Sequence, residues 1–210
     1  VSILEKIKQL EEEEIGRLGR DTFLGYPSIT PTVLHAPVNG EPQLNVIPQQ
    51  CRALLDIRTI PGQSHEALKK QLEDIVQEEE RSICASLQSG PLKEIREEFQ
   101  KGLSKGISFK AKLHVFEDRP WIKTSRDEPI VLAVSRAYRS VTGQEPIYSG
   151  VPGATDGTFL SAWAGIPIIT LGAGKWMIPH QKDEWVSIED LYLTAKIYAA
   201  SALEFLKGTD

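Results

Sequence analysis

The residues able to do chemistry in this chain gather in two glycine-rich loops of its second half. His180, Asp183 and Glu184 follow the turn Gly172-Ala-Gly174, which itself follows a short, almost wholly apolar segment, 166–171. An apolar run of this length bounded by glycines reads as a central strand covered on both faces, and open α/β sheets build their sites beyond the ends of such strands. An imidazole there can ligate a metal, with a nearby carboxylate orienting its second ring nitrogen. The plain alternative is a surface or packing histidine. The other loop, Ser149-Gly-Val-Pro-Gly-Ala-Thr-Asp156, precedes the apolar run 159–163. Its glycines allow close backbone approach to a ligand, and Thr155 or Asp156 can cap the next helix. A helix start without a ligand is the alternative.

Several familiar templates fail. No Gly-x-Ser-x-Gly elbow is present, so a serine hydrolase lacks its nucleophile. Gly172-x-Gly174 lacks the third glycine of a dinucleotide fingerprint, and Lys175 has neither the hydroxyl neighbour nor the spacing of a phosphate-binding loop. His180 and Glu184 do not form the His-Glu-x-x-His helix of a zincin. His35, His65 and His114 are scattered and read as strand-face or helix-start residues.

The elements that must position these loops follow from periodicity. Residues 1–18 form an amphipathic helix opened by Ser2 and Glu5 at capping-box spacing, with Ile3, Ile7 and Leu10 on one stripe; Glu11 to Glu14 read as its solvated end. Extended segments are expected over 32–38 and 51–60. In the second, Leu54, Asp56 and Arg58 share one face, opposite Ala53, Leu55 and Ile57. Ser64 caps a helix with Leu68, Leu72 and Ile75 buried. A short charged helix is expected around 92–99 and a further strand over 107–116. The pattern predicts an α+β first half with an antiparallel sheet, residues 1–117, and an α/β second half, residues 118–210. In the latter, Ser125 and Glu128 offer a capping box for a helix over 130–141 closed by Gly143, and the last helix starts at Ser187.

Composition bounds the rest. The chain has 210 residues, of which 24 are Lys or Arg and 29 Asp or Glu, a net charge of -5 that argues against a nucleic-acid backbone binder. No apolar stretch approaches the ~20 residues needed to span a bilayer. Only two cysteines occur, Cys51 and Cys84, and they form no metal knuckle; a reducing, cytoplasmic setting is expected.

Four motifs in register carry a resemblance: Asn45-Val-Ile-Pro48 with Leu55-Asp-Ile-Arg58-Thr-Ile-Pro61; Gly153-Ala-Thr-Asp156; Leu171-Gly-Ala-Gly174; and Pro179-His-Gln-Lys-Asp-Glu184. In this order they resemble the zinc-dependent deacylases that include acetylornithine deacetylase, succinyl-diaminopimelate desuccinylase and glutamate carboxypeptidases. The resemblance implies a lid, also used for homodimerisation, made of a four-stranded antiparallel sheet and two helices, followed by the closing portion of a two-zinc exopeptidase-like catalytic domain. It implies His180 as a zinc ligand, and Asn45, Arg58, Gly153, Ala154, Thr155 and Gly172 as contacts to a small N-acyl amino acid or peptide substrate. Arg58 suits that role because its planar fork can hold a carboxylate with two hydrogen bonds; a cross-strand pair with an acidic neighbour is its structural alternative. Many members carry a hydroxyl where Ala154 stands. The family's remaining metal ligands and its general base have no counterpart in the sequence. The expectation is therefore the C-terminal part of a longer enzyme, with no catalysis and at most weak zinc binding by itself. A non-catalytic dimerisation or carboxylate-binding module is the competing reading.

Overall fold

The computed structural model describes residues 2–89, 93, 109–175, 178 and 181–208, and the chain divides into two compact units, Val1–Asp118 and Arg119–Asp210. Among the described residues there are five helices and two strands. They are α1 (Ser2–Leu18), β1 (Ser28–His35), β2 (Arg52–Arg58), α2 (His65–Gln88), α3 (Pro129–Thr142), α4 (Gly157–Ala164) and α5 (Ile188–Leu206).

In the first unit α1 and α2 pack with the β1–β2 hairpin around Ile7, Leu10, Ile29, Leu68 and Leu72, with Leu55, Ile57, Ile75 and Leu113 against them. Burying such side chains stabilises the unit by roughly 1.5–3 kcal/mol each. The α1 stripe continues past its apolar residues: Ile7, Leu10, Glu11 and Glu14 lie three and four apart and are all buried. Glu11 and Glu14 are thus not a solvated helix end. Glu11 Oε1 accepts from the Ile29 amide at 2.8 Å, tying α1 to the start of β1. Glu14 accepts from Arg17 at 2.9 and 2.7 Å and from Gln63 Nε2 at 2.9 Å, while Gln63 Oε1 takes the Ile60 amide at 2.9 Å. Buried polar groups persist only with such partners.

The sheet corrects the sequence expectation of a four-stranded lid. Among the described residues it has two antiparallel strands, running from Ser28↔Arg58 to His35↔Arg52. β1 begins four residues earlier than the pattern placed it, and its register slips between Pro31 and Val33. Proline lacks the ladder amide and is tolerated at such a bulge. The stretch 109–116, expected as a strand, keeps the alternation, with Phe109, Ala111 and Leu113 half-buried and Lys110, Lys112 and His114 exposed. It joins no ladder. Its Ala111 amide is taken instead by the Glu80 carboxylate of α2 at 3.0 Å. The expected helix around 92–99 lies outside the described residues, Lys93 excepted.

In the second unit α3 packs on α5. α3 starts at Pro129, not after Ser125: the preceding Glu128 is extended (φ -62°, ψ 137°), as a residue before proline prefers, and Pro fits the first helical turn. Ser125 Oγ accepts from the Asp127 amide in the turn ahead of it. Gly143, left-handed at φ 70°, closes the helix. The central strand expected over 166–171 is likewise not in a sheet among the described residues. The Thr124 hydroxyl substitutes for a neighbouring strand there. It donates to the Ile168 carbonyl at 2.5 Å and accepts from the Ile168 amide at 3.3 Å.

Candidate functional site

Each unit contributes its own set of candidate residues. In the first, Arg58 closes β2 and is more than half exposed; its Nε donates to Asp56 Oδ2 at 2.7 Å. The face shared by the two residues brings them into contact along one strand; the acidic partner is thus not the cross-strand one expected, since Ser28 stands opposite Arg58 in the ladder. Asn45 lies exposed in a turn in which the Val46 amide bonds the Gln43 carbonyl at 3.3 Å.

In the second unit, two anchors set the ends of the loop 149–156. Tyr148 is held by its hydroxyl against Ser135 Oγ of α3, 2.7 Å away, and Arg126 stacks on its ring at 4.4 Å. At the other end, Thr155 and the buried Thr158 bond reciprocally: the Thr158 amide donates to the Thr155 carbonyl at 2.9 Å, and the Thr155 amide to Thr158 Oγ1 at 3.4 Å. Asp156 makes no side-chain cap. Gly153, Ala154 and Thr155 are exposed on this tethered loop. A Cβ on Gly153 would only reach contact distance, 4.0 Å, from Val151.

Gly157 is the glycine that packing requires. A Cβ there would fall 2.8 Å from Ile168 Cγ2 and 3.2 Å from Thr155 Oγ1. Its absence lets the first turn of α4 rest directly on 166–171, which leads into the Gly172-Ala-Gly174 turn, so the bases of the two candidate loops are packed together. Nothing in the sequence marked Gly157 apart from its neighbours. Gly172 is exposed with open space around it, whereas Gly174 needs its φ of 108°. Beyond the turn, Lys175 sits 5.2 Å over the Trp185 ring. Asp183 adopts a left-handed φ of 61°, a conformation Asp tolerates better than most residues. His180 lies outside the described residues.

An apolar groove of about 390 Å³ runs between α3, α5 and 169–171, lined by Ile130, Val134, Ile169, Leu171 and Phe205 with Tyr198. Its two hydroxyl side chains, Tyr198 and Ser201, are engaged with the Leu171 and Ile197 carbonyls, so the groove offers mainly apolar burial. No three His, Cys, Asp or Glu side chains come together among the described residues, so these alone do not make a metal cage.

Residues 7–204 match the profile of peptidase family M20/M25/M40. The chain belongs to that family. Among curated relatives, it is 27% identical over 176 residues to the N-formyl-4-amino-5-aminomethyl-2-methylpyrimidine deformylase of Bacillus subtilis, a match covering 84% of this chain and 38% of that protein. It is 24% identical over 202 residues to acetylornithine deacetylase of Myxococcus xanthus, covering 96% and 45%. Of solved structures, the di-peptidase Dug1p of Saccharomyces cerevisiae superposes with a TM-score of 0.62 at 17% identity, over 95% of this chain and 36% of that one. An M20 family metallo-carboxypeptidase from Sulfolobus solfataricus gives 0.52 at 20%, over 97% and 44%. The fold is that of the family, and the chain spans less than half the length of these relatives.

Proposed function

We propose that this chain belongs to a metal-dependent hydrolase of amide bonds in N-acyl amino acids or small peptides, and supplies its substrate-holding positions and one metal ligand. The observation that carries the reading is the family match over residues 7–204, together with relatives named as a deformylase, a deacetylase and peptidases. Because those relatives are more than twice as long as the matched portion, the activity is proposed for the complete enzyme, with the other ligands and the general base in sequence outside these 210 residues.

Zinc is the proposed metal, held through the neutral imidazole of His180. Arg58 is proposed to hold the substrate carboxylate, with Asp56 fixing the guanidinium through Nε, and Asn45 to donate nearby. Gly153, Ala154, Thr155 and Gly172 form the other substrate contacts. Homodimerisation through the first unit completes the reading. Calorimetry of the chain with N-acetyl amino acids tests it: Arg58→Ala should weaken binding by about tenfold or more, the loss of a charge-assisted hydrogen bond. Equal heats from both proteins would remove Arg58 from the site.

A further inference from the structure

Three contacts outside the candidate site share one geometry. The stretch 109–118 meets α2 three times, in reverse order along the helix: Phe109 O accepts from Cys84 Sγ at 3.5 Å, the Ala111 amide donates to Glu80 at 3.0 Å, and Asp118 Oδ1 meets His65 Nδ1 at 2.5 Å. The spans agree. From His65 to Glu80 an α-helix rises about 22 Å, and from Ala111 to Asp118 an extended chain covers about 23 Å. Leu113, between the two ends, packs on the core of the unit. The stretch is thus a strap lying antiparallel along α2, fastened by side chains where a strand would be fastened by a ladder. It is also the last segment before the chain passes to the second unit at Arg119.

His65 carries a second contact, with Nε2 2.9 Å from Thr59 Oγ1. A carboxylate only accepts, so with a neutral ring Nδ1 bears the hydrogen, Nε2 accepts, and the Thr59 hydroxyl donates. Hydroxyl, imidazole and carboxylate stand in the order of a nucleophilic triad, but the backbone donors beside Thr59 are already used. The Ile60 amide bonds Gln63 Oε1, and the Gln63 amide bonds the Ile60 carbonyl. Those two amides are therefore committed within the turn and not aimed at an oxyanion.

We infer that Thr59–His65–Asp118 is a clasp: it fastens the end of the strap, and so sets the point at which the connection to the second unit leaves the first. The strap behaves as one piece, so opening the clasp loosens its far end as well. Amide hydrogen exchange resolved by NMR on the 210-residue chain tests this at Ala111, seven residues from Asp118. His65→Ala, a substitution favourable to the first turn of a helix, and Asp118→Ala should each speed Ala111 exchange about three- to tenfold, the effect of losing one hydrogen bond. Asp118→Asn keeps an acceptor for Nδ1–H and should stay near wild type. The Ile29 amide, bonded to Glu11 in the core, should not change. Unaltered Ala111 exchange in both alanine variants, or an equal acceleration at Ile29, would overturn the inference.

Discussion

Gly157→Ala probes the contact that brings the two candidate loops together. The added methyl would lie 2.8 Å from Ile168 Cγ2 and 3.2 Å from Thr155 Oγ1. Carbon atoms settle at about 3.5–4.0 Å, so the contact is too short by roughly 1 Å. Ile168 has little freedom to retreat: Thr124 holds its amide and its carbonyl, and a β-branched side chain is stiff at χ1. Overpacking of this kind costs about 1–3 kcal/mol, against up to about 1 kcal/mol gained by alanine over glycine in a helix. The net expectation is a loss of about 1–2 kcal/mol, which in a unit of this size lowers Tm by roughly 5–15 °C. The assay is selective, because all four tryptophans, Trp121, Trp163, Trp176 and Trp185, belong to the second unit, so tryptophan fluorescence during urea or thermal unfolding reports that unit alone. In an Ile168→Ala background the same substitution should cost at least about 1 kcal/mol less. A Gly157→Ala protein as stable as wild type, or more so, would refute the close approach of α4 and 166–171.

Two further outcomes follow from the hydrogen bonds. The Glu11 carboxyl is held below its ordinary range because its bonds to Lys8 and the Ile29 amide outweigh a burial that pushes it up; Glu14 is held low by Arg17 and Gln63 against burial. Carboxylates depressed in the folded state stabilise it fully above the unfolded value of about 4.3, and that contribution disappears as pH falls through the lower folded values. Exchange of α1 amides should therefore accelerate as pH drops below about 4.3 once the intrinsic pH dependence of exchange is removed, and Glu14→Gln should flatten that response; an identical profile in the variant would contradict it. Ser187→Ala removes the acceptor for the Asp190 amide at 3.0 Å and should lower the stability of the second unit by about 1 kcal/mol in the same fluorescence assay, where no change would deny the cap its role.

Helix ends that rest on a local interaction were legible in the sequence. Ser64 and Ser187 cap α2 and α5 through the amides of Ala67 and Asp190, and Gly143 ends α3, because each acts within one turn of its own position. The alternation of Leu55 and Ile57 against Asp56 and Arg58 also held, since a strand's period is fixed by its pleat. Elements that depend on a partner were not legible. Residues 109–113 alternate as a strand would, yet whether an alternating segment finds a ladder depends on what lies beside it, and Glu80 took the Ala111 amide. Segment 166–171 has a strand's composition, but the Thr124 hydroxyl occupies the place of a neighbour. Ser125 was misleading because Pro129 dictates the start of α3 more strongly than a capping pair does. The burial of Glu11 and Glu14 was readable in principle from their spacing after Ile7 and Leu10, where charge obscured the helical stripe. In the candidate site, Arg58 pairs with Asp56 as their common face implies, whereas the need for glycine at 157 arises from a tertiary contact with no local signal.

The most direct test of the functional reading is the zinc affinity of the 210-residue chain with and without its imidazole at 180. Competition against a chromophoric chelator should find weak, measurable zinc binding in the wild type that is lost in His180→Ala, with the Tm of the second unit unchanged in the absence of metal. The same binding constant in both proteins would contradict the assignment of His180 as a metal ligand, and with it the part this chain is proposed to play in amide hydrolysis.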